Sequence, residues 1–242
     1  MDSSLAWLVV AAITFVGSHF ALSAMEPRNA LARRFGEQGF LGAYSLVAAI
    51  TLVALIFAYG NTSYVPLWTA SPWTRWIPVL VMPVASLLLV GGLTQYNPTA
   101  VGAKFGDVAG DPAPGILKIT RNPVMWAIGL WALSHIPPNG DAASLILFGS
   151  LAFLALGGTT RIEAKHKRRD PDGFGRLAEI TSNVPFLALL SPAKRAFWRM
   201  AYGRDPLKTF WREIGLWRFA LALGVYVALA VLHPWIAGVP VH

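Results

Sequence analysis

The sequence predicts an all-α fold, a polytopic membrane helix bundle with about six transmembrane helices. Hydrophobic residues make up 55% of the 242 positions and charged residues only 13%, whereas about a quarter of the residues in soluble domains are charged. Six apolar runs are mostly long enough to cross about 30 Å of hydrocarbon as helices, although the fourth is short. These runs are Leu5–Met25, Phe40–Tyr59, Trp76–Leu93, Val124–Ile136, Ala143–Gly158 and Leu216–Ala237.

Prolines and the amino terminus refine this division. Most prolines lie between the runs, where helices end. Pro78 and Pro83 instead lie at the entry of the third run or inside it, and we expect them to kink that helix. The chain starts Met1-Asp2-Ser3-Ser4, with no basic region or cleavage pattern, so we expect the first run to be a retained helix and not a signal peptide. There is no cysteine, which leaves histidine and carboxylate side chains for any metal chemistry.

Basic residues are concentrated in alternate segments of the chain. Segments 26–38, 94–123 and 159–218 hold 19 of the 20 lysines and arginines, and only Arg75 lies elsewhere. Because basic loops remain in the cytoplasm, we expect both termini to be periplasmic in a bacterial inner membrane. The net charge of +8 is therefore a topology signal. No nucleic-acid-binding motif accompanies it, which argues against a nucleic-acid partner.

The whole chain, 1–242, is expected to form a single transmembrane domain in the lipid bilayer, with a basic cytoplasmic or interfacial segment at 159–215. Two triplets in that segment, Phe197-Trp198-Arg199 and Phe210-Trp211-Arg212, place aromatic rings beside cations. This composition is typical of a segment that lies along lipid headgroups.

Two histidines occur inside apolar runs, His19 and His135. An ionisable imidazole in a membrane span is costly, and it marks a candidate functional site. An interhelical hydrogen bond is the simpler alternative for each. His166 lies in a solvated cationic run, where a ligand role is not expected. His233, at the end of the last run, is expected to rest in the interface.

The depths of the histidines permit more than one pairing. At about 1.5 Å of rise per residue, His19 lies some 13 Å above Arg28 and His135 some 21 Å above Arg121. The resulting offset of roughly 8 Å is compatible with two imidazoles that bind one haem. His233 is about as far above Arg218 as His135 is above Arg121, so His135 with His233 remains a rival pair.

The surroundings of both histidines resemble the NnrU family of membrane proteins. The resemblance rests on Arg121-Asn122-Pro123, Trp126, Gly129 to His135 and Asn139-Gly140-Asp141, and on Gly17 to Ser23 followed by Arg28. That family is associated with nitric oxide and nitrite reduction, and it includes zeta-carotene isomerase, a haem b protein with histidine ligands. The resemblance implies haem b as cofactor and His19 and His135 as its metal ligands. The haem propionates would then need polar partners, for which Arg28, Arg121 and Asn139 are the candidates.

Three function classes follow from this resemblance and from a second one. The first is a haem-dependent cis-trans isomerase or redox enzyme that acts on a hydrophobic, carotenoid-like small molecule. The second is a non-catalytic haem or nitric oxide handling protein that supports denitrification. The third is a membrane methyltransferase, because 115–123 together with Glu163 is similar to the S-adenosylmethionine-binding region of isoprenylcysteine and phospholipid methyltransferases. Asn122 replaces the histidine of that motif.

The remaining carboxylates carry weaker signals. Asp107 and Asp141 lie near turns, and turn chemistry accounts for them. Glu163 follows the fifth run beside Arg161 and is expected to form an interfacial ion pair. No phosphate-binding loop, zinc-binding helix motif or Ser-His-Asp arrangement occurs in the sequence.

Overall fold

The computed structural model describes residues 3–99, 113–203, 205–239 and 241. Over these residues the chain is helical, with eleven α-helices, one short 3₁₀ turn at Pro72–Arg75 and no strand. The helices are α1 Ser3–Ser23, α2 Met25–Gly60, α3 Trp76–Thr94, α4 Ile116–Ile119, α5 Pro123–Asn139, α6 Ala142–Arg169, α7 Pro171–Ile180, α8 Leu187–Leu190, α9 Pro192–Tyr202, α10 Pro206–Ile214 and α11 Leu216–Ala237.

The predicted helical membrane bundle is confirmed by these elements. Within the described residues, five segments are long and apolar enough to cross a membrane, and they are Ser3–Ser23, Met25–Gly60, Pro72–Thr94, Ala142–Arg169 and Leu216–Ala237. The remaining predicted span, the fourth apolar run, corresponds to α5, which has 17 residues. At about 1.5 Å of rise per residue it reaches roughly 25 Å, so it is short for a bilayer, as the sequence indicated.

The predicted loop at 26–38 is wrong, because this segment is helical. Only Ala24 separates α1 from α2, and α2 runs from Met25 to Gly60. The helix is interrupted at Gly36, where φ is 74° and ψ is 166°. Glycine adopts positive φ without the steric cost of a Cβ atom, so the break is placed there. Ala24, which lies between His19 and Arg28, is extended, with φ −61° and ψ 143°, so the depth of His19 measured along a straight helix to Arg28 does not hold.

The described chain forms two compact units. The first consists of Met1–Ile77 and Ala132–Leu154, and the second of Pro78–Trp131 and Ala155–His242. In the first unit, the Ser63 amide donates to the Ser4 hydroxyl at 3.3 Å, and the Leu67 amide donates to the Gly140 carbonyl at 2.8 Å. The beginning of α1, the loop after α2 and the α5–α6 turn therefore lie on one side of this unit, as the alternating topology requires.

The second unit has a hydrophobic core. It forms where the short helices α4 and α7 to α10 pack against α3 and α5. Trp198 and Phe210 are buried, and the Trp198 indole donates to the Ile180 carbonyl at 2.9 Å. The expectation that the first aromatic triplet lies along headgroups is therefore wrong for Trp198, while Trp211 of the second triplet is 58% exposed. The buried residues of this core are Leu88, Ala113, Ile116, Leu117, Ile119, Ala127, Leu177, Ile180, Leu189, Trp198, Phe210 and Ile214.

Three of these covering helices begin with the same device. Asp170, Ser191 and Asp205 each accept a hydrogen bond from a backbone N–H in the first turn of α7, α9 and α10. A proline follows each cap and occupies the first helical position. Capping side chains satisfy otherwise unpaired N–H groups, and proline has none to leave unpaired there. The capping residue and the proline after it thus define the start of each of these helices.

A glycine and a proline of α3 set its contacts with neighbouring helices in the second unit. A Cβ atom at Gly92 would lie 2.7 Å from a side-chain carbon of Val124 and 3.1 Å from its backbone nitrogen, so only glycine fits beside the start of α5. Pro83 lies inside α3, and because it lacks an N–H, the Val79 carbonyl loses its helical donor. The Tyr226 hydroxyl of α11 reaches that carbonyl at 3.4 Å.

Candidate functional site

His19 lies on the buried face of α1. Leu8, Ala12 and Phe15 are buried, and a spacing of four and three residues places them on one helical face, which His19 continues. Its Nδ1 atom is 2.7 Å from the Phe15 carbonyl oxygen. A nitrogen that faces a carbonyl at this distance carries the proton, because the oxygen can only accept. In the neutral ring Nε2 is then unprotonated and has a lone pair for a metal ion.

Aromatic side chains fix the orientation of the His19 ring. The Phe15 ring centroid is 4.5 Å away, and the Tyr44 ring meets the imidazole edge-on at 5.7 Å. Tyr44 in turn contacts Phe40 at 6.0 Å. The contacts of Phe15 and Tyr44 with His19 were not predicted from the sequence. The position of Phe15, four residues before His19, was a readable signal, but nothing in the sequence indicates the contact with Tyr44 on another helix.

His135 lies in α5 against a phenylalanine of α6. Its ring centroid is 5.3 Å from that of Phe148, and its Nδ1 atom is 3.3 Å from the Ser134 hydroxyl. The Asn139 side-chain amide donates to the His135 carbonyl at 2.6 Å. This bond helps to hold the end of α5, where the two prolines after Ile136 interrupt the helical pattern of N–H donors.

Both histidines are close to the same helix in the first unit. Phe20, the neighbour of His19, meets Phe153 of α6 edge-on at 5.8 Å, and His135 contacts Phe148. Phe148 and Phe153 are five residues apart, or about 7.5 Å of helical rise. These contacts place α1 and α5 against the same helix, α6.

The predicted propionate partners in this unit already have protein partners. Arg28 forms an ion pair with Glu37, immediately after the break at Gly36, and its guanidinium carbon lies 5.2 Å from the Phe40 ring centroid. Asn139 holds the His135 backbone, as described above. Because one guanidinium has five N–H groups, Arg28 keeps donors beyond the one that binds Glu37.

The two remaining histidines with predicted environments, His166 and His233, each lie against a backbone carbonyl. His166 is only 7% exposed, and its Nε2 atom is 3.2 Å from the Thr99 carbonyl oxygen. The expectation that it is solvated is therefore wrong, because the end of α6 is covered by the segment that contains Thr99. His233 has its Nδ1 atom 2.7 Å from the Val239 carbonyl oxygen. Within the described part of the chain, no group of three or more His, Asp or Glu side chains is placed to hold a metal ion.

Arg121 belongs to the second unit, where it is buried in a polar cluster. Its guanidinium contacts Glu163 through Nε at 2.9 Å and through Nη2 at 2.8 Å. Nη1 donates to the Thr181 carbonyl at 3.0 Å, and the cation lies 5.5 Å from the Phe174 ring centroid. Glu163 thus pairs with Arg121 across 42 positions of sequence, and the expected ion pair is formed by a different arginine from the neighbouring Arg161.

Asparagines complete this cluster. The Asn122 amide donates to Glu163 at 3.2 Å and to the Asn183 side-chain oxygen at 3.1 Å. The same oxygen accepts from the Trp126 indole at 3.2 Å, and the Asn183 amide donates to Thr159 at 2.9 Å. The residues that resemble a methyltransferase motif are therefore brought together, but their polar groups bond mainly to one another.

A second buried ion pair, Lys118 with Glu213, joins α4 to α10. Burial by itself raises the pKa of the Glu213 carboxyl, but hydrogen bonds from Lys118 and the Gly115 amide outweigh it and hold the pKa below its usual range. The Lys118 ammonium also lies 4.6 Å from the Trp198 ring centroid. This pair anchors α10 to the core of the second unit.

Lys194 closes the carboxyl end of α7. Its ammonium donates to the Ala178 carbonyl at 2.6 Å and to the Glu179 carbonyl at 3.0 Å. Burial and the neighbouring Arg121 cation lower the pKa of Lys194.

Asp141 caps the start of α6, where its carboxylate accepts a hydrogen bond from the Ser144 amide at 2.9 Å, as turn chemistry predicts. Asp107 lies outside the described residues.

The first unit also contains an apolar groove between α1 and α2, with a volume of about 660 Å³. Its α1 lining extends from Ser3 to Thr14, about 16 Å of helix. The lining residues of α1 lie on a different helical face from His19, so the groove is separate from the ligand side of the imidazole. Ser3, Ser4 and Asn61 give one end of the groove a polar character.

The family model described as NnrU protein matches residues 7–241. No match was found among curated proteins or among solved structures. Because the family model covers nearly the whole chain, the chain belongs to the NnrU family.

Proposed function

We propose that this NnrU family protein binds haem b in the membrane, and that His19 and His135 would hold its iron. The observation that carries the proposal is the hydrogen bond from His19 Nδ1 to the Phe15 carbonyl, 2.7 Å long. Histidines that bind metal ions typically donate their other ring N–H to a fixed acceptor, which sets the tautomer and the ring plane.

The placement of the two histidines supports this pairing. Both belong to the first unit, and both are close to α6 through aromatic contacts five residues apart. The Phe15 and Tyr44 rings pack against the His19 ring, and imidazole is a common iron ligand in haem proteins. Arg28 and Asn139 in the same unit are the candidate partners for propionates, with Arg28 the stronger because it carries charge.

When bound, haem supplies an iron centre for redox or isomerisation chemistry in an apolar environment. The protein's contribution would be to hold the His19 and His135 rings and to keep the His19 Nδ1–H hydrogen-bonded to the Phe15 carbonyl. The groove of about 660 Å³ between α1 and α2 fits an apolar chain with a polar end near Ser3 and Asn61. Because this groove lies on a different face of α1 from His19, it does not place its occupant at the haem. We propose a hydrophobic, carotenoid-like small molecule as the substrate on the family resemblance.

The charge distribution supports a location in the bacterial inner membrane. Basic segments alternate along the chain, and such segments remain in the cytoplasm. The loop after α2 and the α5–α6 turn, which carry only Arg75, would then face the periplasm with both termini.

The test is an absorption spectrum of the protein purified in detergent from haem-sufficient cells, oxidised and reduced. We expect a Soret band in the wild-type protein that His19→Gly or His135→Gly removes or shifts. Free imidazole should restore the band in these variants, because it can occupy the space of the missing ring. This rescue separates the loss of a ligand from a loss of folding.

Two variants serve as controls. His166→Ala should leave the band unchanged, since this buried imidazole is bonded to the Thr99 carbonyl in the second unit. If His233→Ala removed the band and His19→Gly did not, the pair of His135 with His233 would replace the proposed one. Preparations that contain no haem under any condition would overturn the proposal.

A further inference from the structure

Arg218, at the beginning of α11, is bound by neutral oxygens. Its Nε donates to the Thr94 hydroxyl at 2.8 Å and its Nη2 to the Thr94 carbonyl at 3.0 Å. Its Nη1 donates to the Ile214 carbonyl at 2.8 Å. Thr94 is the last residue of α3 and Ile214 the last of α10. The cation is therefore placed where two helix ends present partial negative charge, which orients the guanidinium without neutralising it.

No carboxylate compensates this charge within the described part of the chain. The four ion pairs found there join Arg28 to Glu37, Lys118 to Glu213, Arg121 to Glu163 and Arg199 to Asp205. Glu213 is the nearest acid in sequence, but Lys118 and the Gly115 amide occupy it. Arg218 thus keeps a full positive charge that an external anion can neutralise.

Arg218 also keeps unused donors. A guanidinium has five N–H groups, and three are used by Thr94 and Ile214, so one remains on each terminal nitrogen. The Trp217 ring centroid lies 4.3 Å from the guanidinium carbon and restricts the side chain from one side. Two donors on a fixed, planar cation match the oxygens of a phosphate group.

The position of Arg218 in the chain selects the kind of phosphate. It is the third residue of a candidate membrane span, Leu216–Ala237. Leu216 is 84% exposed and Trp217 is 53% exposed, and exposed tryptophans at the end of a span are typical of the headgroup region of a bilayer. Lipid phosphates lie at this level, and two exposed cations of α10, Lys208 and Arg212, precede Arg218 in the sequence.

We propose that Arg218, held by Thr94 and Ile214, binds the phosphate of an anionic phospholipid at the end of α11. The bound lipid neutralises the cation and links α3, α10 and α11 at the membrane boundary. Zwitterionic lipids bind less well, since their own ammonium group compensates the phosphate. This inference is independent of haem binding and of the groove in the first unit.

The experiment uses the full chain in detergent, stripped of lipid, and measures the thermal unfolding midpoint during titration with dioleoyl phosphatidylglycerol. We expect a saturable increase for the wild-type protein and an apparent affinity at least tenfold lower for Arg218→Gln. Lys208→Gln is the matched control and should change the affinity less than twofold, because Lys208 is an exposed cation of the neighbouring helix α10 without the Thr94 and Ile214 contacts. Dioleoyl phosphatidylcholine and inorganic phosphate at equal concentrations should each give at most a small, unsaturated shift.

A second variant keeps the test decisive if Arg218→Gln does not fold. Arg218→Lys preserves the charge but not the planar pair of donors, and we expect its affinity for phosphatidylglycerol to fall about threefold or more. Equal responses of the wild-type protein to the two lipids would overturn the proposal. It would also be overturned if Arg218→Lys, or a folded Arg218→Gln variant, bound phosphatidylglycerol like the wild type. A shift that inorganic phosphate alone reproduces would indicate an anion site rather than a lipid site.

Discussion

The buried ion pair of Arg121 and Glu163 gives the sharpest test of how the second unit is built. We consider Glu163→Gln, which removes the negative charge and almost no volume. Arg121 is 8% exposed, and its bond to the Thr181 carbonyl supplies no charge. Breaking a buried pair by removing one partner costs about 3–5 kcal/mol, because the remaining charge is left without compensation in a poorly solvated place. Since the Glu163 side chain is 19% exposed, we expect the lower end, about 3 kcal/mol.

The pair formed by Arg28 and Glu37 provides a matched control within the same protein. Its carboxylate side chain is 53% exposed, and exposed ion pairs contribute about 0–1 kcal/mol. Glu37→Gln should therefore have at most a small effect. The assay is reversible unfolding in mixed micelles with increasing mole fraction of dodecyl sulfate, followed by tryptophan fluorescence for the wild type and both variants.

The result also bears on the methyltransferase alternative. If Glu163 serves only to compensate Arg121 and Asn122, Glu163→Gln lowers stability, and calorimetry detects no saturable binding of S-adenosylmethionine to the wild type. The reasoning is refuted if Glu163→Gln costs no more than Glu37→Gln. A variant that is stable but has lost measurable S-adenosylmethionine binding would instead assign Glu163 to a cofactor.

Three further predictions concern packing, pH and topology. Gly92→Ala should destabilise the protein by about 1–3 kcal/mol in the same unfolding assay, because its Cβ would overlap the start of α5, whereas Gly224→Ala, which meets nothing within 4 Å, should be neutral; equal effects would contradict this packing. The lowered pKa of Glu213 means that its contribution is fully present above the ordinary glutamate pKa of about 4.3 and is lost as the pH falls through the folded-state pKa. Its replacement by glutamine should therefore lower stability at pH 7 and flatten the acid dependence, and an unchanged acid dependence would argue against the buried pair. A cysteine at Asn139 should react with an impermeant maleimide in intact cells and one at Asp172 only after permeabilisation, since basic segments remain cytoplasmic; the reverse pattern would invert the orientation.

Local sequence was sufficient for the fold class and for most helices. Hydropathy is a property of each segment by itself, so the spans could be recognised without knowledge of their neighbours. The caps at Asp170, Ser191 and Asp205, each followed by proline, are equally local and were readable in the sequence. The positions of His19 and His135 in apolar helices also followed from the sequence, although their ligand role stays a prediction.

Tertiary structure decided which side chains meet and which are buried. The pairing of Arg121 with Glu163 and the contact of His19 with Tyr44 join residues on different helices, and no periodicity within one helix encodes such a contact. His166 and Trp198 looked like surface residues because cations surround them in sequence, yet each ring is covered by a distant segment. Burial depends on what packs against a residue, whereas sequence patterns report only the preference of the residue itself.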